Sequence, residues 1–254
     1  MPLQSDIGIA TSAYSQLSLA AALDRIEELA PAAEITSYGT HTLLDIDNAR
    51  AVIGRRLSFS VHGPFSNVSL GSLNESKRRA AVELHRRHLK IAALLGATVY
   101  VVHPDRKETL GPRSDLMAAN LQRSFAEFCV LQDSLGIPIA VENMPTMELS
   151  HYAAPGDLDL CGLGLALDTG HASLCGNLDA WLADPRADVR HVHLHDNQGP
   201  STGDQHAPLG TGVVDAAAVL EAARATGASV VLEHRSEADV LSSLEYLRLR
   251  GLIR

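Results

Sequence analysis

The chain alternates short apolar runs with longer amphipathic stretches eight times from end to end, and few architectures accept that pattern. Strands are expected over Asp6–Thr11, Ala33–Ser37, Leu57–His62, Thr98–His103, Pro138–Glu142, Leu163–Asp168, Val189–His195 and Ser229–Glu233. Helical patterns lie between them. Ser18–Ala30 opens on a serine cap and stops before Pro31. Asn74–Leu95, Ser114–Leu135, Asp215–Thr226 and Glu237–Arg250 each run into a glycine, the usual left-handed stop. Weaker helical patterns occupy Leu44–Arg56, the region around Met147–Leu160, and Leu178–Ala183. Eight strand–helix units in 254 residues match a single α/β domain over residues 1–254, a (β/α)8 TIM barrel. A doubly wound open sheet is the alternative, but Thr11-Ser12-Ala13-Tyr14 is not the glycine-rich phosphate loop such a sheet carries after its first strand.

Parity within the strands sharpens the barrel. Successive side chains along a strand point to opposite faces. Leu57, Phe59 and Val61 share one face, while Ser58, Ser60 and His62 share the other. Leu163, Leu165 and Leu167 oppose Gly164, Ala166 and Asp168. The apolar face suits helices; the second is small or polar and ends on an ionisable residue at the C-terminal end, where a barrel keeps its catalytic groups.

Read in order, the strand ends and following loops supply His62, His103, Glu142, Asp168 with His171, the series His191, His193 and His195, then Asp204 with His206, and finally Glu233. Imidazole and carboxylate are the donors that hold zinc, manganese or iron. Nine of these converging on one barrel mouth (His62, His103, Glu142, Asp168, His171, His193, Asp204, His206 and Glu233) would hold two or three divalent ions, with Glu142 or Glu233 as a bridge. Nitrogen-rich donors favour zinc, and the carboxylates also admit manganese or iron. His191, His193 and His195 share a face at roughly 6.6 Å intervals, so at most two reach one ion. Position selects His193, leaving His195 as a substrate contact or a group supporting the ligands from behind. Structural sites are closed and rarely gather nine donors at a barrel mouth, which argues against a non-catalytic scaffold.

These residues together resemble the xylose-isomerase-like barrel superfamily, which contains sugar isomerases and epimerases and the endonuclease IV enzymes of AP endonuclease family 2. The resemblance runs from about His62 to Glu233, and Asp204-x-His206-x-x-Leu209-Gly210-x-Gly212 is its most specific stretch. It implies three metal sites: His62, His103 and Glu142; Glu142, Asp168, His193 and Glu233; and His171, Asp204 and His206. It also implies Glu142 and Glu233 as the catalytic pair. Two activities follow from it. One is hydrolysis of a phosphoester in abasic DNA or a small phosphorylated sugar. The other is isomerisation or epimerisation of a sugar or sugar phosphate around a single metal, with Glu142 and Glu233 moving a proton. Ser60-Val61-His62-Gly63-Pro64-Phe65 and His193-Leu194-His195-Asp196-Asn197 also look like the broad sugar phosphate isomerase/epimerase group. The DNA-intercalating loop of endonuclease IV finds no clear counterpart; Tyr38, His41 and Phe65 are the planar side chains in its place.

Composition enters at three points. The formal charge of -9 argues against binding polyanions by bulk charge, but three divalent ions would cancel two thirds of it, close to the mouth. Arg235 and Lys107 are then candidates for gripping a phosphate. Cys129, Cys161 and Cys175 show no paired spacing, Met1–Ala10 does not read as a signal peptide, and no apolar run suits a membrane span, so a cytoplasmic protein without a membrane partner is expected. His85 and His88 lie beside Arg86 and Arg87 and are expected on a solvated helix face; His41, His151 and His234 have no assigned role.

Overall fold

A computed structural model describes residues 7–105, 111–146, 150–157, 159–184 and 187–254. Its strands are β1 (Ile7–Ala10), β2 (Ala32–Thr36), β3 (Ser58–His62), β4 (Tyr100–Val102), β5 (Ile139–Glu142), β6 (Gly164–Asp168), β7 (Val189–Leu194) and β8 (Ser229–Leu232). All pair in parallel in sequence order, and β1 closes on β8 through Ile7↔Val230. That closure establishes the TIM barrel and excludes the open doubly wound sheet.

The helices are α1 (Leu19–Leu29), α2 (Ile46–Val52), α3 (Glu75–Leu94), α4 (Pro112–Leu135), α5 (Thr169–Leu174), α6 (Leu178–Ala183), α7 (Ala216–Thr226) and α8 (Glu237–Leu249). Ser18, Asn74, Asp215 and Ser236 cap their helices with side-chain oxygens, satisfying amides that the first turn leaves without partners. Pro112 at the start of α4 carries no amide to satisfy. The helix-facing side chains of the strands, among them Val61, Tyr100, Val141, Leu167 and Val192, merge with the helices into the main core. Inside the barrel a second, small cluster of Val99, Val101, Ala140 and Ala166 fills the lower interior.

Three expectations need correction. The helix around Met147–Leu160 is not formed among its described residues: Met144 pairs its amide with the Tyr152 carbonyl, and Pro155-Gly156 turns the chain, with the Asp157 carboxylate accepting from the Ala153 and Ala154 amides. Met147–Leu149 and Leu158 lie outside the described residues, as do Asp6 and Lys107. A short helix not expected from sequence, α5, leaves β6 directly because the Asp168 carboxylate accepts the His171 amide at 2.7 Å. Finally, His85 and His88 are buried, not solvated. Helical spacing puts them on the stripe of Ala81, Val82, Leu89 and Ala92 that faces the barrel. His85 meets the Tyr100 hydroxyl at 2.9 Å, and His88 meets the Leu84 carbonyl at 3.0 Å.

Candidate metal centre

Register brings the ionisable strand ends to one level. Asp168 stands opposite His193, His193 opposite Val231, and Glu142 opposite Ala166. Glu233 follows β8, and its amide bonds to the Leu194 carbonyl at 3.3 Å, extending the same row. Asn143 stitches β5 to β6: its side chain donates to the Asp168 carbonyl at 3.0 Å and accepts the Asp168 amide at 2.7 Å. The loop carrying Asp204 and His206 is held from below by buried Asp196. That carboxylate accepts the amides of Asn197, Gly210, Gly212 and Val214. A Cβ on Gly212 would overlap the Asn197 carbonyl, so the tight loop demands glycine there. His206 itself sits at φ 47, a left-handed conformation rare for a side chain of its size and found where a site fixes the backbone.

The nine expected donors fall into three groups. His62 and His103 approach Glu142 Oε2 with their Nε2 atoms at 3.2 and 3.0 Å. His193 Nδ1 lies 3.1 Å from Glu233, 3.4 Å from Glu142 and 3.8 Å from Asp168. Asp204 lies 3.0 Å from His206 Nε2 and 3.9 Å from His171 Nε2. Within each group every donor atom is within 4.8 Å of the others, and Glu142 belongs to both the first and the second.

The donor chemistry fits divalent cations. His62, His171 and His206 each turn Nδ1 to a backbone carbonyl, that of Gly63, Asn143 and Glu233 respectively, at 2.8, 2.8 and 3.0 Å. A carbonyl only accepts, so Nδ1 carries the proton and the Nε2 lone pair faces the site. Lone pairs and carboxylates therefore converge on the same spaces. Buried His193 Nδ1, which faces the site, Asp204 Oδ1 and Glu233 Oε2 also lack aligned hydrogen bonds. Buried polar atoms without partners are costly, and a cation satisfies them.

The electrostatics agree. Burial alone would raise Glu142 and Glu233, but His103 and His193 hold Glu142, and His193 holds Glu233, below the usual carboxylate range. Asp204 is likewise held low, against its burial, by His171 and His206. Burial would push the histidines down; instead Glu142 holds His62 up, Asp168 holds His171 up, Glu233 holds His193 up, and Asp204 lifts His206 to about 9. Each such proton stands where a cation would act.

The neighbouring residues are sorted by the same geometry. Fully buried His195 places Nε2 3.0 Å from Asp168 and stacks on His206 at 4.2 Å; a Cβ on Gly170 would overlap its ring. Arg235 is largely exposed and donates to the Asp204 carbonyl and carboxylate at 2.8 and 3.2 Å. Tyr38 and Phe65 are exposed at the mouth with ring centroids 5.2 Å apart, and Phe65 stacks on His103 at 5.0 Å. His41 turns away to the Leu17 carbonyl, and His234 donates to that of His206. One ionisable residue escaped the sequence reading. Glu34 on β2, wholly buried, lies 2.9 Å from His191 and 3.1 Å from His193. Its signal was strand parity: Ala33 and Ile35 face the helices, so Glu34 must face the interior.

A closed eight-stranded barrel with candidate metal donors gathered at its C-terminal mouth is the design of a barrel enzyme whose site lies at that end. The chain belongs to the xylose isomerase-like TIM barrel family, whose model matches residues 20–250, and it is an enzyme of that family. It is similar to a solved structure described as a D-tagatose 3-epimerase-like protein, at 28% identity and a TM-score of 0.85, covering 97% of this chain and 96% of that one. A Thermus thermophilus protein whose crystals were soaked with ZnCl2 is 27% identical, with a TM-score of 0.72 over 98% of this chain and 99% of the other. A probable endonuclease 4 of Mycobacterium tuberculosis is 27% identical over 74% of this chain and 77% of its own length.

Proposed function

We propose that this chain is a multinuclear metal-dependent phosphoester hydrolase acting on a sugar phosphoester, either in abasic DNA or in a small phosphorylated sugar. The observation that carries this reading is the third donor group. His171, Asp204 and His206 form a set separate from Glu142, Asp168, His193 and Glu233. An isomerase working around one metal has no use for it. The similarity to a probable endonuclease 4 supports the same reading.

Three divalent ions, zinc first and manganese or iron next, would acidify a water and neutralise charge on the phosphoryl oxygens when bound. His62, His103 and Glu142 would hold one. Glu142, Asp168, His193 and Glu233 would hold the second, and His171, Asp204 and His206 the third. Glu142, common to two groups, would accept the proton of the attacking water and hold its oxygen in line. Glu233 is the second carboxylate at the reacting centre. Asp204 and Arg235 stand at the rim, where Arg235 would meet a substrate phosphate after releasing Asp204. His195 would brace Asp168 and border the substrate. The exposed Tyr38–Phe65 pair would stack on a sugar or base.

Among the described residues no helix is long and apolar enough to cross a membrane, and the three cysteines are free. Free thiols fit a reducing cytosol, where we place the enzyme.

A second reading is favoured by the carboxylates themselves. Glu142 and Glu233 approach His193 Nδ1 together, and such a pair would pass a proton across a sugar carbon. Likeness to a D-tagatose 3-epimerase-like protein points the same way. Elemental analysis of protein purified without chelator decides between them, followed by assays on an abasic-site duplex, a sugar phosphate and a set of ketoses. Two or three ions per chain with phosphoester cleavage is expected. A single ion with ketose turnover would overturn the hydrolase.

A further inference from the structure

The donor groups leave one set of buried ionisable residues without a task. Two residues deeper along β7 than His193, His191 also faces the barrel interior, and Glu34 lies beside both. All three are fully buried. A carboxylate in such a place needs partners, and among the described residues the two imidazole nitrogens stand beside it. Its oxygens are divided between them. His191 Nε2 lies 2.9 Å from Oε2, which also accepts the Ser60 hydroxyl at 3.3 Å. His193 Nε2 lies 3.1 Å from Oε1. His191 is fixed in turn by the Ser229 hydroxyl, 2.6 Å from its Nδ1. Each imidazole nitrogen lies closest to a different oxygen, at ion-pair distance, so the carboxylate is divided between the two rings.

We propose that Glu34 is a positioning residue for the middle metal site. It keeps the proton of His193 on Nε2, so that Nδ1 presents its lone pair toward Glu142, Asp168 and Glu233. A metal-ligating histidine gains basicity and a fixed ring orientation from a carboxylate on its other nitrogen, and loss of that partner lowers affinity. Ser60, His191 and Ser229 hold Glu34 in turn. The inference rests on the metal reading above, and it singles out one site of the three: among the described residues Glu34 bonds or pairs with Ser60, His191 and His193, of which only His193 is a proposed ligand.

Zinc titration against a competing chelator tests it, on the wild-type chain and on Glu34→Gln, with circular dichroism and Tm confirming the fold. The wild type should bind two or three ions. Glu34→Gln should weaken one of them by about 10–100-fold and leave the others in place. Glu34→Asp, which restores the charge at shorter reach, should recover part of the loss. A wild type that binds no zinc removes the metal reading itself. Zinc bound equally by wild type and Glu34→Gln removes the role of Glu34 alone. A fourth ion present in the wild type and missing from Glu34→Gln would make Glu34 a ligand and overturn the positioning role. Should Glu34→Gln fail to fold, imidazole nitrogen NMR of the zinc-loaded wild type decides. His193 protonated on Nε2 supports the proposal, and His193 protonated on Nδ1 overturns it.

Discussion

The Nε2 atoms of His62 and His103 stand 3.1 Å apart, and both face Glu142 Oε2. The His62 lone pair is committed to this space because its Nδ1 proton goes to the Gly63 carbonyl. Two imidazole nitrogens and a carboxylate oxygen at these separations need a proton or a metal cation among them. Glu142 reaches the same space as His193 on its other side, so one carboxylate ties the first donor group to the second.

Glu142→Gln should therefore disable two groups at once. The amide keeps the shape and loses the charge. Turnover should fall by about 10²–10⁴-fold, the range for removal of a general base, and the metal content should fall with it. The far-ultraviolet circular dichroism should stay that of a folded barrel. Elemental analysis and steady-state rates on the same preparation check both halves. Turnover within a factor of two of wild type would remove Glu142 from the reacting centre.

Asp204→Asn separates the two chemical readings. Asp204 serves only the third group and the rim contact to Arg235. If the third group takes part in hydrolysis, this substitution should release about one ion per chain and lower phosphoester cleavage by about 100-fold or more. An epimerase working around the middle site should lose little. Assaying both reactions on one variant makes the comparison internal. Full phosphoester cleavage by Asp204→Asn would contradict the role given to the third group.

How far the sequence spoke depended on where each residue sits in its element. The barrel was legible because strand parity separates Leu163, Leu165 and Leu167 from Gly164, Ala166 and Asp168, a pattern of two buried faces, and because eight such units without a glycine-rich first loop favour closure over an open sheet. Most of the candidate donors were legible because they end strands, and His171, Asp204 and His206 because they follow those ends closely. Glu34 was not, because it lies mid-strand and its partners His191 and His193 are far away in sequence; only the barrel closes that distance. His85 and His88 misled by their neighbours. Arg86 and Arg87 suggested solvent, while the helical period already aligned the two histidines with Ala81 and Leu89. The short α5 escaped because its start depends on a contact, the Asp168 carboxylate on the His171 amide, that no periodicity announces.

Phe65→Ala tests the aromatic edge of the mouth. Phe65 packs on His103 and Tyr38 and remains partly exposed, so it is placed to touch a bound substrate without joining the donor groups. Base–aromatic stacking is worth about 1–3 kcal/mol. The variant should raise KM by about 5–150-fold, with kcat and metal content nearly unchanged. Phe65→Tyr should behave as wild type. A fall in kcat at constant KM would instead make Phe65 a support for His103.

Acid stability reports on His85, a buried histidine outside the site. Burial drives His85 down from 6.5 to about 3. An unfolded chain carries that imidazole near pH 6.5, so between these values the unfolded state binds more protons than the folded one. The stability this neutral group preserves is therefore fully present above about pH 6.5 and drains away as pH falls toward 3. Each pH unit in that window costs about 1.4 kcal/mol. His85→Gln removes the titration and retains a polar group beside the Tyr100 hydroxyl. Between pH 7 and pH 4.5, chelator-treated wild type should lose about 2–3 kcal/mol more stability than His85→Gln, measured by urea unfolding. The site histidines, raised above their ordinary values, shift stability in the opposite direction, but they are common to both proteins and cancel in the difference. Parallel stability profiles for the two proteins would mean that His85 titrates no differently folded or unfolded.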